Sequence, residues 1–269
     1  MYKWFFSLFF ILHCSFFIVH GQDLKKVENS AFIRGEKFSF RAYYDSFLTG
    51  KVTAGLATLE VDTGNKEFNG RKTYHATAKG KSKGAFNLFF KVEDQFESYI
   101  DEEYIVPWYF TRKTREGDFR KNDEVRFNQL SLSASSSTAN KKIPARTQDI
   151  ISTFYFARTL DFSNVKVGEN FNITYFLDDS VYTAVIQFAG HEEIEIGLGT
   201  FRCLKFKPMV IKGKVFSQPY AMDVWITDDK NHIPVLAKSA VIVGAVKLEL
   251  IRYQNLANPV TSLINPKKN

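Results

Sequence analysis

Two stretches of this chain read almost alike, and they restrict its folding more than any other feature. Gly35-Glu36-Lys37-Phe38-Ser39-Phe40 is followed by an aromatic residue at Tyr43, and Gly168-Glu169-Asn170-Phe171-Asn172-Ile173 by one at Tyr175. What comes next recurs in the same order. Residues 53–61 answer to 182–189, and 71–78 to 200–207. Asp101-Glu102-Glu103-Tyr104-Ile105-Val106-Pro107-Trp108 answers to Asp228-Asp229-Lys230-Asn231-His232-Ile233-Pro234-Val235, and 125–130 to 251–256. The separation drifts by only a handful of residues, as changes in loop length produce. Self-similarity at a steady period means one supersecondary unit built twice.

The unit is a β-meander. TYHATA, DQFESYI, MDVWIT and KLELIRY alternate with period two, the signature of strands with one face buried. Turn residues part the runs at Thr63-Gly64-Asn65, Asn69-Gly70, Glu116-Gly117-Asp118 and 228–231. Nothing supplies the crossover helices of a parallel sheet. The fold class is therefore mainly all-β: duplicated antiparallel meanders forming curved sheets or an open barrel, with one helix between the halves. Gly35 and Gly168 allow positive φ where each half begins, and the glutamate after each is expected on the solvent face. Pro107 and Pro234 cannot donate to a ladder and belong at strand starts or edges.

The domain reading follows. Residues 1–21 are a signal peptide, 22–31 a lead-in, 32–131 the first repeat, 132–164 a Ser-rich loop and helix, 165–257 the second repeat, and 258–269 a flexible tail. The leader has Lys3, an apolar run from Trp4 to Val19, and short residues at Val19 and Gly21 ahead of a cut before Gln22. The run falls short of the ~20 residues that span a bilayer and contains His13. His13 also precedes Cys14, where a lipoprotein signal needs a small residue. No later stretch is long enough for a membrane helix. In the linker, PARTQDIISTFYFARTL (144–160) is the helix candidate, with Thr147 as its cap and Asp149 near its positive end. Ile150, Phe154 and Ala157 form one stripe, with Ile151, Tyr155 and Arg158 beside it. Such a helix would plug or cover the space between the sheets.

Composition excludes several functions. The 36 Lys and Arg against 29 Asp and Glu give a net charge of +7, too modest and dispersed for a nucleic-acid surface. Cys14 leaves with the leader, so Cys203 stands alone and forms no internal disulfide; it is expected in the core. His75, His191 and His232 lie outside metal-ligand spacing of one another and of Cys203. No metal or cofactor site is assigned, and no nucleophile elbow occurs. Asp178-Asp179 and Asp228-Asp229 lack the alternating oxygen ligands of a calcium loop and read as turns. Gly80-Lys81-Ser82 is similar to the end of a phosphate loop, but His75 stands where its first glycine belongs. KGKSKG reads as a basic hairpin tip, with contact to anionic headgroups as its sharper reading.

GEKFSFRAYYD, GLATLEV, PWYFTR with EGD, QDIISTFYFARTLD and WITDDKNHIPVLA together resemble the DUF3108 family of uncharacterised exported bacterial proteins. The resemblance spans roughly 31–256, and its motifs are structural in character. Where relatives usually carry arginine in an N-R-I-P element, this chain has His232. In outline the family is similar to lipoprotein carriers of the envelope, which shelter an acyl chain in an unclosed antiparallel barrel under a helix. The resemblance implies an exported, non-enzymatic protein of the periplasm or envelope. Aromatic residues are the candidate ligand contacts: Phe89, Phe96, Trp108, Phe154 and Trp225, with Trp225 placed at a position related to Trp108. The pattern fits a filled core and a hollow interior alike. Candidate partners are a lipid or acylated protein, or an envelope protein if the chain is a scaffold. An envelope-polymer hydrolase is the third reading, for which the sequence shows no convergent carboxylate pair.

Overall fold

The computed structural model describes residues 24–46, 50–84, 86–209, 222–240 and 245–267. The leader expected over 1–21 lies outside them. The first half forms β1 (Lys37–Ser46), β2 (Gly50–Val61), β3 (Lys66–Phe68), β4 (Arg71–Ser82), α1 (Phe86–Phe89), β5 (Val92–Asp101), β6 (Pro107–Glu116) and β7 (Phe119–Asn128). Two short strands follow, β8 (Ser133–Ser135) and β9 (Asn140–Lys142), and then α2 (Ile150–Arg158). The second half forms β10 (Asn170–Leu177), β11 (Ser180–Ile196), β12 (Gly199–Pro208), β13 (Met222–Thr227), β14 (Pro234–Ala240), β15 (Ala245–Gln254) and β16 (Leu263–Pro266).

All these strands belong to one antiparallel sheet, ordered β10-β11-β12-β13-β14-β15-β1-β2-β4-β5-β6-β7-β8-β9, with β3 on β4 and β16 on β12. Two meanders in the same strand order are thus joined edge to edge where Lys37 in β1 pairs with Gln254 in β15. The duplicated motifs do equivalent work. The Gly35 N–H donates to the Val61 carbonyl at 2.8 Å, and the Val61 N–H returns a bond to Glu36 at 2.9 Å. Gly168, Phe188 and Glu169 repeat this at 2.9 and 2.8 Å. Both glycines have positive φ, 82° and 91°, which a side chain would strain. Pro107 and Pro234 open β6 and β14, each one residue beyond a buried apolar residue and two beyond a left-handed one, Ile105 and His232.

Because neighbours run antiparallel, the connections β1–β2, β4–β5, β6–β7, β10–β11, β12–β13 and β14–β15 fall at one end, the rim. Those between β5 and β6 and between β13 and β14 fall at the other, the base. The sheet does not close into a barrel. Its β10 edge is covered by the linker, where Gln148 bridges Tyr175 in parallel: the Gln148 N–H donates to Thr174 and its carbonyl accepts from Phe176, both at 2.8 Å. Side chains clasp the rest of the seam. Asp178 accepts from Arg112 and Lys121, and Asp179 from the hydroxyls of Ser136 and Thr138.

Five expectations are corrected. The helix begins at Ile150, later than the linker sequence suggested, because Gln148 is still pairing as a strand. Its cap is Asp149 and not Thr147, whose hydroxyl donates to Pro144. The Ser-rich loop contains the β8–β9 hairpin, and residues 263–266 of the expected tail pair with β12. Glu36 is not solvent-facing. It is buried at 0% exposure and accepts two hydrogen bonds, 2.6 and 2.8 Å, from the Arg158 guanidinium, itself 2% exposed. Glu169, its counterpart, is exposed as expected and accepts from the Lys166 N–H.

Arg158 has further partners. It donates to the carbonyls of Ala31 and Asn231, each at 3.0 Å. The rings of Phe32, Phe38, Phe154 and Tyr155 lie 5.3–5.6 Å from its guanidinium carbon. Burial pushes the Glu36 carboxyl upward against the pull of this cation. Removing one member leaves a bare buried charge, which costs about 3–5 kcal/mol. Arg158→Met should lower unfolding stability by about that much, and adding Glu36→Gln should recover part of the loss. A double-mutant cycle in urea checks both.

Asp149 is also buried, and its carboxyl accepts from the N–H groups of Ile151 and Ser152 at 2.7 Å and from the Ser98 hydroxyl at 2.6 Å. Burial raises its pKa to about 6, although these bonds favour the anion. A raised folded-state pKa makes the folded chain hold a proton the unfolded chain has lost, so this contribution to stability falls as pH rises from ~4 to ~6. Asp149→Asn should flatten that slope in denaturation curves measured across the interval.

Candidate functional site

Phe154 and Ala157 on α2 face the inner surface of β10–β13 across an apolar groove of about 410 Å³. The helix wall is completed by Ile150 and Thr153, and the base by Leu160 and Phe162. Phe171 in β10, Ile186 in β11, Phe206 in β12, and Val224 and Ile226 in β13 form the sheet wall. The spacing explains who faces inward. Phe206 and Leu204, two apart on β12, share a face, as do Val224 and Ile226 on β13. Pro208 ends β12 and Met222 opens β13, so the groove runs up to the rim.

Most of these side chains are half-buried, not sealed. Phe38, at the position equivalent to Phe171 in the first half, is fully buried. Its ring packs with Phe40, Trp225, Ile233 and Leu250, and the helix itself fills the two halves unequally. In the first, Phe32 of the lead-in and Ile151 and Tyr155 of α2 pack onto Val61, Ala76, Ile100 and Phe110. In the second, the smaller cluster of Phe162, Phe188, Leu204 and Phe206 leaves space beside the helix.

Among the described residues, Arg158 is the only ionisable one that lines the groove, and its guanidinium is committed to Glu36. Below it, His232 donates from Nδ1 to the Arg158 carbonyl at 2.7 Å and sets its ring against Phe162 at 4.9 Å. Burial holds its pKa below the ordinary imidazole value, favouring the neutral ring. His232 therefore fastens the end of α2 to the base turn, the task available at this element to a backbone-bonding side chain. Polar atoms are scarce along the groove, so its chemistry is apolar contact.

Of the four described residues among the five singled out from sequence, only Phe154 lines the groove. Phe96 in β5 packs on the first-half core. Trp108 is buried and donates its indole N–H to Asp101 at 2.9 Å. Trp225 donates to Glu192 at 2.7 Å beneath the Lys205 ammonium, on the face of β13 opposite Val224 and Ile226. The two tryptophans are not equivalent, since Trp108 follows the proline of β6 and its counterpart is Val235. Phe89 ends α1, and its side chain is outside the described set. Sequence reasoning missed Phe162, Phe171, Ile186 and Phe206. The G-E-x-F motif did contain Phe171, but nothing in it assigned that ring to a site. Cys203 is buried with Phe201 on the far face of β12. Burial, then the charge of Asp228, pushes its thiol up to about 12, which leaves it unreactive as a thiolate. Among the described residues no group of three metal-ligating side chains assembles.

An open antiparallel sheet holding one helix and an apolar groove defines a β-barrel-like protein. The chain belongs to the DUF3108 family, proteins of unknown function, whose model matches residues 39–251. Its fold is similar to that of a β-barrel-like protein of the DUF1849 domain from Brucella abortus, with TM-score 0.56 and 9% identity over 83% of this chain and 98% of that one. A weaker likeness, TM-score 0.38 and 12% identity over 87% of this chain and 100% of the other, links it to a candidate exported protein with a YmcC-like fold from Bacteroides fragilis. No curated protein matches the chain. Among the described residues, no helix is long and apolar enough to cross a membrane.

A groove left unfilled by the protein leaves stabilisation unrealised. Ala157→Leu, which extends a side chain into it, should raise the unfolding free energy of ligand-stripped protein by about 0.5–2 kcal/mol, the usual yield of cavity filling. Urea denaturation checks the sign.

Proposed function

We propose that this chain is an exported, non-enzymatic envelope protein that takes the apolar part of a lipid or acylated protein into the groove between α2 and β10–β13. The groove itself carries the reading. Small-ligand sites are concave, mostly apolar and roughly 300–1,000 Å³, and this one is about 410 Å³ with its lone cation already paired. Half-buried Ile150, Phe154, Phe171, Ile186 and Val224 would all gain burial from an acyl chain, at about 0.8 kcal/mol per methylene removed from water. Export is supported by the leader pattern at the N-terminus. No reacting group is needed for such a role.

Native mass spectrometry of the protein purified from the cell envelope tests the reading. A mass increment matching an acyl lipid is expected for the wild type. Ala157→Trp, which occupies the groove, should lose the increment and weaken binding of a fluorescent fatty acid at least tenfold. Protein that carries no lipid and binds no fatty acid would reject it.

A further inference from the structure

The rim of the first half is at once apolar and basic. Leu88 in α1 is 84% exposed, Phe119 at the start of β7 53%, and Phe90 45%. They belong to one built surface. The Gly117 N–H in the β6–β7 turn donates to the Lys91 carbonyl at 2.8 Å, which draws that turn against α1. Gly117 has φ 56°, and a Cβ placed on it would lie 2.9 Å from the Phe90 ring, so this glycine is what lets the ring lie on the turn. Phe86 backs Phe90 at 6.5 Å and Tyr44 at 6.2 Å.

Cations surround these carbons: Lys81, Lys83, Arg115 and Arg120 are exposed and Lys91 is half-buried. Glu93 is shared between Lys81 at 3.4 Å and Lys91 at 3.9 Å. Among the described residues Lys83 and Arg115 have no ion pair. Arg120 donates to the carbonyls of Gly117 and Phe119 at 2.6 and 2.7 Å, which steadies the tip. Of the remaining carboxylates here, Asp118 and Glu116 are exposed; Glu116 shares a hydrogen bond with half-buried Asp94, and both are raised in pKa by burial, Glu116 also by the charge of Asp94.

We propose that this rim docks on a bilayer surface carrying anionic lipid, with Leu88, Phe90 and Phe119 entering the headgroup boundary and the lysines and arginines meeting phosphates. Phenylalanine and leucine flanked by Lys and Arg is the composition of surfaces that lie on membranes. Lysine is depleted in protein–protein interfaces, which favours a membrane over a protein partner. The KGKSKG stretch, unexplained by the groove, supplies Lys81 and Lys83 to this surface. The groove of the second half reaches the same rim through Pro208 and Met222, so docking would present its mouth to lipid. The inference stands on the rim residues and does not require the groove to be occupied.

Co-sedimentation of the chain over residues 22–269 with phosphatidylcholine vesicles, with and without phosphatidylglycerol, tests it. Partitioning onto the anionic vesicles is expected, declining as salt rises. Lys83→Gln and Arg115→Gln should each weaken it about fivefold at low salt. Leu88→Asp with Phe119→Asp should weaken it at least tenfold with no change in the circular dichroism melting curve. Equal partitioning onto neutral and anionic vesicles, none onto either, variants that bind as the wild type does, or retention by a protein of the envelope fraction in place of vesicles would each overturn it.

Discussion

The buried pair of Glu36 and Arg158 is the point on which the rest of the molecule converges. Arg158 ends α2, Glu36 begins the first meander, Asn231 lies in a base turn of the second, and Ala31 belongs to the lead-in. One guanidinium therefore holds four separate parts of the chain. Its worth is not simply added stability, because taking both charges out of water costs nearly what their attraction returns. What it supplies is position. Shifting the helix by a turn would strand the cation away from the Glu36 carboxylate, so the pair fixes α2 along its axis. The face bearing Ile151 and Tyr155 is thereby committed to the first half and that bearing Phe154 and Ala157 to the second.

Duplication explains why that commitment leaves a groove. The two meanders share strand order, glycine-led starts and left-handed residues before their prolines. A sheet built twice from one pattern makes two similar concave surfaces, but the chain carries only one linker helix and one lead-in to fill them. Both lean on the first half, where Phe32 meets Tyr74 and Tyr155 edge to face at 5.1 and 4.7 Å. The second half retains the inward-facing aromatics of the pattern without equivalent cover. Glu36 and Glu169 diverged accordingly, since only the first has an arginine within reach.

The sequence made the sheet legible and the site mostly illegible, for physical reasons. Strand alternation is local, so β4, β5, β13 and β15 could be seen as runs of period two. The prolines of β6 and β14 and the positive φ of Gly35 and Gly168 were readable because each rests on one residue's own geometry. The buried fate of Glu36 was not, because its partner lies far along the chain and a glutamate at a strand start looks like any solvated one. The helix cap failed for a related reason: Thr147 is a competent capping residue, but Gln148 was already engaged with Tyr175. The groove was hardest. Phe154 and Phe96 are indistinguishable by residue type and both touch the first-half core, and only the placement of α2 decides that Phe154 also borders a gap. Trp108 and Trp225 misled because a buried indole needs an acceptor, and both found carboxylates elsewhere.

The open seam bears on the same groove. An unpaired strand edge invites association with other chains, and here β10 is covered by the short bridge at Gln148 and by the clasp on Asp178 and Asp179. That cover is thin beside a full ladder. Every other strand wall of the groove is hydrogen-bonded to a neighbour on both sides, whereas β10 has a ladder only with β11. Hydrogen-bonded segments with few partners open at the lowest free energy. The wall with the weakest attachment is thus the one carrying Phe171, and it stands opposite a helix that the Arg158 pair keeps in place. A groove with one fixed wall and one yielding wall can admit chains of different bulk without disturbing the core, which a closed barrel of the same strands would not allow.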